Sequence, residues 1–349
     1  MSALHRLAID HAQNKVAIAA AGAIPSLVKL LGPASSAQTQ KAAADALGNL
    51  STHAQNKAAI AAAGAIPGLM KLLEPNSSTG VQATAAGALL DLAADHALNQ
   101  AAINSAGAIP HLVLLLGPDS PADVQVAAAG ALCNLASNNG QNRAAIAAAG
   151  AIPALVQLLG ADLPAGVQKN AAGTLCILAN SAQNQAAISV AGAIPALVQL
   201  LGSDFRADVR WAAVMALRNL GVYHAQNEAA VTAAYAIPAV VQLLNPHSPP
   251  IVQEATATLL RYLASDAQNV AQNRATITAA GAIPALVQLL APESSADVQK
   301  AAASLLGSLA INPSHNQVAT GIAGTIAALV RLLGSETSED VQAAAASAL

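Results

Sequence analysis

The feature that most limits what this chain can fold into is a segment that recurs about every 43 residues. Ala-Gly-Ala-Ile-Pro, with small variations, places its proline at Pro25, Pro67, Pro110, Pro153, Pro195, Pro238 and Pro284. An eighth copy carries Ala327 in the proline place. A second anchor keeps the same phase: Asn14, Asn56, Asn99, Asn142, Asn184, Asn227, Asn273 and Asn316. A fixed period of this length marks a stacked solenoid, in which each unit buries its apolar faces against its neighbours. The search for function therefore moves from a pocket to columns of equivalent residues along an extended surface.

Composition supports that reading. The chain has 349 residues and is 54% hydrophobic but only 1% aromatic. Its apolar content is largely alanine, which lets helices approach closely. A formal net charge of −3 leaves no electrostatic footprint for nucleic acid. Cys133 and Cys176 hold the same place in successive repeats. Helices pack roughly 10 Å apart, too far for a disulfide, whose Cα atoms lie within about 7 Å. Buried free thiols are expected. The chain opens with no basic-then-apolar leader, so no secretory signal is read. The uncharged run from Asn170 to Ser203 is long enough to raise a membrane span. Pro195, internal glycines and its place as one phase of the repeat argue against one.

One unit reads as three helices. Gln141 to Ala149 is a short helix stopped by Gly150. Ile152 to Leu159 is a second, with Pro153 in its first turn, where a missing N–H costs nothing. Leu155, Val156, Leu158 and Leu159 supply its apolar stripe. After a loop, Val167 to Ala179 forms a longer third helix. Asp123, Asp208 and Asp297 precede the equivalent valine elsewhere, and they read as N-caps that also suit the helix dipole.

This order, together with Asn-x-x-Ala-Ile-x-x-Ala-Gly-Ala-Ile-Pro-x-Leu-Val-x-Leu-Leu, resembles the armadillo repeat over essentially the whole chain. The wording from Ala46 to Ile60 is most similar to armadillo arrays of plant and algal proteins, including U-box ubiquitin ligases. The resemblance implies an all-α, right-handed α-α superhelix of about seven complete repeats plus partial terminal ones. It implies a single array over residues 1–349 whose third helices line a concave groove. It also implies protein or peptide binding without catalysis. Both ends of the sequence fall within a third helix. Either the chain is a piece cut from a longer array, or Val341, Ala344, Ala345 and Ala348, with no following repeat over them, support weak head-to-tail self-association.

In armadillo arrays that hold extended peptides, an asparagine column bonds the peptide backbone and a tryptophan column walls the side-chain pockets. The asparagine column here reads Arg6, Asn49, Asp91, Asn134, Ile177, Asn219, Tyr262 and Ser308. Asn49, Asn134 and Asn219 keep the pattern, and they either meet a ligand or bridge neighbouring helices. The tryptophan column reads Ser2, Asp45, Gly87, Gly130, Gly173, Met215, Thr258, Ser304 and Ser347, which speaks against import-type recognition of basic peptides. The chain's sole tryptophan, Trp211, lies one turn before Met215. With Arg210, Arg218, Arg261 and Tyr262 it makes the one chemically distinct region of the groove, either an interface hot spot or a filled gap between repeats. Tyr235, replacing the repeat glycine, and three extra residues within 266–273 mark the same neighbourhood as irregular.

His11, His53, His96 and His224 share a column, but residues a repeat apart cannot converge on one zinc ion. They read as solvated loop residues. No Gly-x-Ser-x-Gly, His-Glu-x-x-His, Cys-x-x-Cys or phosphate-cradling glycine loop is present. The expected function is a scaffold for a protein or extended peptide, in the cytoplasm or nucleus. No catalytic residue, metal or cofactor is assigned, nor any nucleic-acid or membrane partner. The ligand-binding half of a ubiquitin ligase, a nuclear transport adaptor and a designed or purely structural array are the alternatives.

Overall fold

The computed structural model describes residues 12–221, 236–265, 269–311 and 324–349. Every regular element among them is an α-helix. The chain divides into two units, 1–184 and 185–349, each described by itself. In the first, the long third helices are α1 (Ala37–Ser51), α2 (Thr79–Ala93), α3 (Ala122–Ala136) and α4 (Ala165–Leu178). In the second they are α5 (Ala207–Gly221), α6 (Pro250–Ser265), α7 (Ala296–Ala310) and α8 (Glu339–Ala348). Two shorter helices precede each long one where the chain is described, as in Gly140–Ala148 and Ala151–Gln157 before α4.

The turn between the short helices needs glycine for its backbone. Gly150 has φ +81°, and its N–H closes the first helix on the carbonyl of Ala147 at 3.0 Å. A Cβ there would meet nothing within 4 Å, so conformation rather than space selects glycine. Tyr235, the exception in this column, lies outside the described residues. Pro153 falls in the first turn as expected. Leu155, Leu158 and Leu159 are buried and Val156 is half-buried.

The expected aspartate caps are corrected. Asp123, Asp208 and Asp297 are the second residues of α3, α5 and α7. The N-cap of α3 is Pro121 and that of α7 is Ser295, whose hydroxyl accepts the Val298 N–H at 3.4 Å. Carboxylates in the first turn still suit the dipole, so the charge argument holds although the position shifts.

Three columns of polar side chains tie each unit together. A glutamine near the start of the long helix donates to the carbonyl eight residues upstream. Gln40 reaches Gly32 at 3.0 Å, Gln168 reaches Gly160 at 2.8 Å and Gln299 reaches Ala291 at 2.8 Å. Of the anchor asparagines, Asn56, Asn99, Asn142, Asn184 and Asn273 are buried, Asn14 is half-buried, and Asn227 and Asn316 lie outside the described residues. Asn142 donates to the carbonyl of Leu135 at 2.8 Å and that of Gln100 at 3.5 Å, in the preceding repeat. Asn99 does the same with Leu92 and Lys57, at 3.0 and 3.3 Å. In several repeats the next residue reaches carbonyls at the C-terminal end of a long helix. Gln100 bonds Asn134 at 2.9 Å, Arg143 bonds Ala136 at 3.1 Å, and Lys57 bonds Ala94. These are the groups a helix end leaves without partners.

Cys133 and Cys176 are free thiols, and burial pushes the Cys133 thiol up from its ordinary pKa. The uncharged run from 170 to 203 is broken into three helices. Among the described residues no helix is long and apolar enough to cross a membrane. His96 is not simply solvated: its Nδ1 accepts the Asn99 N–H at 3.2 Å and caps a helix. His11 and His224 lie outside the described residues. Val341 and Ala345, expected to be uncovered, are buried because they face inward, towards the elements before them.

Candidate functional site

The solvent side of the long helices carries the residues that the sequence singles out. In the first unit, α1 and α2 nearly touch. A Cβ on Gly48 would lie 3.3 Å from the Ala88 Cα and 3.3 Å from an Asp91 carboxylate oxygen. This close approach brings Lys41, Asp45, Asn49, Thr84, Asp91 and Asp123 around one open hollow of about 350 Å³. Burial raises the Asp91 carboxyl to a pKa of about 6, against the opposing pull of Lys57 and Lys15. Gly87 and Gly173, in the tryptophan column, face open space within 4 Å of where a Cβ would stand. The trough therefore has no side-chain walls at these two positions.

Asn49 and Asn134 are both half-buried, and both have intramolecular bonds. Asn49 donates to Asp45 of its own helix at 2.9 Å. Asn134 donates to Leu90 of α2 at 3.0 Å. Asn170 and Thr174 repeat that cross-helix link from α4 to α3, reaching Val126 at 2.8 Å and Ala129 at 2.9 Å. Sequence reasoning missed this pair. The available signal was two polar residues, four apart, inside an otherwise apolar helix.

In the second unit, Trp211, Met215 and Arg218 stand at i, i+4 and i+7 on α5, so they share one face. All three are half-buried, as is Asn219, whose carbonyl accepts from Gln185 at 2.9 Å. Arg261 of α6 is one repeat on from Arg218. It lines two adjoining hollows, of about 440 and 300 Å³. Glu254, Thr258 and Asp297 border the smaller one, Asp340 borders the larger, and Lys300 and Ser304 border both. An exposed ion pair, Lys300 with Asp340 at 2.5 Å, crosses from α7 to α8. It raises the lysine pKa and lowers that of the aspartate.

Tyr262 is placed differently from its neighbours. It is buried, and its hydroxyl donates to the Gly221 carbonyl at 3.0 Å, fastening α6 to the end of α5. Arg210, immediately before Trp211, occupies the glutamine column. Its Nε is buried with no hydrogen-bond partner among the described residues. The Trp211 repeat thus departs from the rest both on its open face and in its internal ladder. Among the described residues no three His, Cys, Asp or Glu side chains cluster as a metal ion would require. In the second unit the open face offers paired charges, an amide, hydroxyls and one large aromatic ring along its long helices.

Comparison with known proteins agrees with this geometry. The armadillo/beta-catenin-like repeat model matches residues 11–52, 53–94, 96–137, 139–179 and 271–311. No curated protein matches significantly. Among solved structures, a crystal structure of an engineered protein from the Northeast Structural Genomics Consortium is 35% identical, with a TM-score of 0.86 over 99% of this chain and 82% of that one. A second engineered protein from the same consortium is 32% identical, with a TM-score of 0.63, covering 74% of this chain and 97% of the other. A designed armadillo repeat protein is 32% identical, with a TM-score of 0.58, covering 62% and 90%. The repeated glycine turn, the three-helix unit and the matched segments lead to one conclusion: the chain belongs to the armadillo repeat family.

Proposed function

We propose that the chain is a non-catalytic scaffold that holds a protein segment in extended form along the open face of its long helices. In this reading the two units form a single array. The observation that carries it is the row formed by Trp211, Met215, Arg218 and Arg261. A half-buried aromatic beside arginines, on rigid helices, has the composition of an interface hot spot. Asn49, Asn134 and Asn219 contribute polar edges to the same surface. Asn134 already bonds across to α2 and Asn49 bonds within its own helix, so in this reading side-chain contacts rather than backbone bonds dominate the grip. Tyr262 supports this face from beneath.

The test uses a displayed library of extended peptides, with binding of enriched peptides measured to the whole chain. Trp211→Ala and Arg261→Ala should each weaken binding at least about tenfold while leaving the helical circular dichroism unchanged. Enriched peptides indifferent to both changes would place the site elsewhere. A second reading has support of its own, because the structural neighbours reported above are engineered or designed arrays. A purely structural array enriches no peptide at all, so the same selection separates the two.

A further inference from the structure

We infer that the segment held on the open face is acidic where it crosses the second unit, its side-chain carboxylates seated on Arg218 and Arg261. The footing is the scaffold reading above, to which this adds the ligand's charge. The two arginines share one place in the repeat, filled elsewhere by Gly48, Leu90, Cys133, Cys176 and Gly307. That place points at the long helix of the next repeat. A Cβ on Gly48 would stand 3.3 Å from the Ala88 Cα, and one on Gly307 3.1 Å from the Ala348 Cα. The Leu90 Cδ1 lies 2.5 Å from where a Gly130 Cβ would be. Arg261 keeps this direction, since it borders both hollows together with Lys300 and Ser304 of α7. Both arginines are half-buried, so their stems lie in the trough.

What sets the two apart is the lack of a partner. Among the described residues neither makes a hydrogen bond or an ion pair. Neighbouring cations are engaged: Arg206 with Asp208 at 3.1 Å, and Lys300 with Asp340 at 2.5 Å. Asp297 adds to the rise in the Lys300 pKa, so it too faces that lysine. Glu254 borders the smaller hollow but is exposed and forms no ion pair with Arg261. A guanidinium offers its donors in a planar fork, which a carboxylate meets with two parallel bonds. The acids at the hollows, Glu254, Asp297 and Asp340, repel a dense polyanion such as nucleic acid and leave room for single charges. Tyr262 ties α6 to the end of α5, so the arginines stand one helix spacing apart, roughly 8–10 Å. An extended segment advances about 3.3 Å per residue, which sets its two acids about two to four positions apart.

Peptides enriched from the displayed library are made synthetically, labelled, and titrated against the whole chain by fluorescence anisotropy. Those weakened by Trp211→Ala should carry Glu or Asp at two places about two to four positions apart. Replacing either acid by its amide should weaken binding at least about tenfold. The double change Arg218→Glu with Arg261→Glu should reverse the preference, so that lysines in place of the two acids restore binding. If that variant loses helical signal, Arg218→Gln with Arg261→Gln keeps the size. It should abolish the difference between the acidic peptide and its amide form. Phosphoserine in place of the acids should bring no gain, because Glu254, Asp297 and Asp340 adjoin. Enriched peptides that need Trp211 but are neutral or basic overturn the inference and leave the scaffold reading standing. So do acidic peptides indifferent to both arginines, or a phosphoserine gain above about tenfold. A library that enriches nothing, or only peptides indifferent to Trp211, removes the scaffold reading, and the acidic ligand falls with it.

Discussion

Asp91 occupies the asparagine column but carries a carboxyl raised to about 6, chiefly by burial. The folded state takes up this proton more readily than the unfolded chain, whose carboxyl titrates near 3.8. Its contribution therefore favours folding at low pH and is lost as pH rises through about 6. Asp91→Asn restores the column's amide and removes the titration. It should raise stability near neutral pH by about 1 kcal/mol, a figure discounted for partial solvent screening. The gain should vanish towards pH 4, where the carboxyl of the unfolded chain takes up its own proton. Denaturant midpoints across that range check it, and a gain that does not change with pH would contradict the raised carboxyl. Glycines give a second comparison. Gly173 faces open space, so Gly173→Ala should stabilise by about 0.5–1 kcal/mol through helix propensity and chain entropy. Gly48→Ala meets the Ala88 backbone at 3.3 Å, which cannot turn aside, and should gain nothing or lose stability. Equal effects at the two sites, in parallel urea titrations, would refute the close approach of α1 and α2.

The elements themselves were largely legible in the sequence, because glycine, proline and the leucine stripe recur at fixed offsets and each marks a helix boundary or a face. The roles of the polar columns were not. Asn142 announces a phase, but nothing in one sequence says that its amide is buried between two repeats. Cap positions were misjudged for a related reason. Aspartate is a good N-cap by preference, yet α3 and α7 begin one residue before their aspartates, after Pro121 and Ser295. At the candidate site, the residue types of the Trp211 row were readable but their burial was not. Tyr262 shares a column with Asn219, and only the structure turns its ring inward to Gly221. The buried amide can be tested directly. Asn142→Ala leaves the carbonyls of Leu135 and Gln100 without this donor in a closed interior, and should cost about 2–3 kcal/mol. A loss under about 0.5 kcal/mol would mean the rung is decorative.

At the scale of the molecule, stability in such a fold is a sum of units and their junctions. The damage from Asn142→Ala should therefore stay local. Amide hydrogen exchange is expected to quicken in α3 and in the short helices around Asn142, while α1 keeps its protection. Uniform acceleration through residues 12–184 would show instead that the first unit unfolds as one cooperative block.

The glutamine ladder has a further consequence for how such a chain can change its length. Each rung joins a side chain to a carbonyl eight positions earlier, so every bond is completed inside its own repeat. Excising one whole period, or splicing in another, leaves each remaining glutamine with the acceptor it had before. A cut with one end inside that eight-residue span would instead strand a donor from its acceptor. The lineage of such a chain is thus free to grow and shrink in whole modules, as a text is edited by the line rather than by the letter.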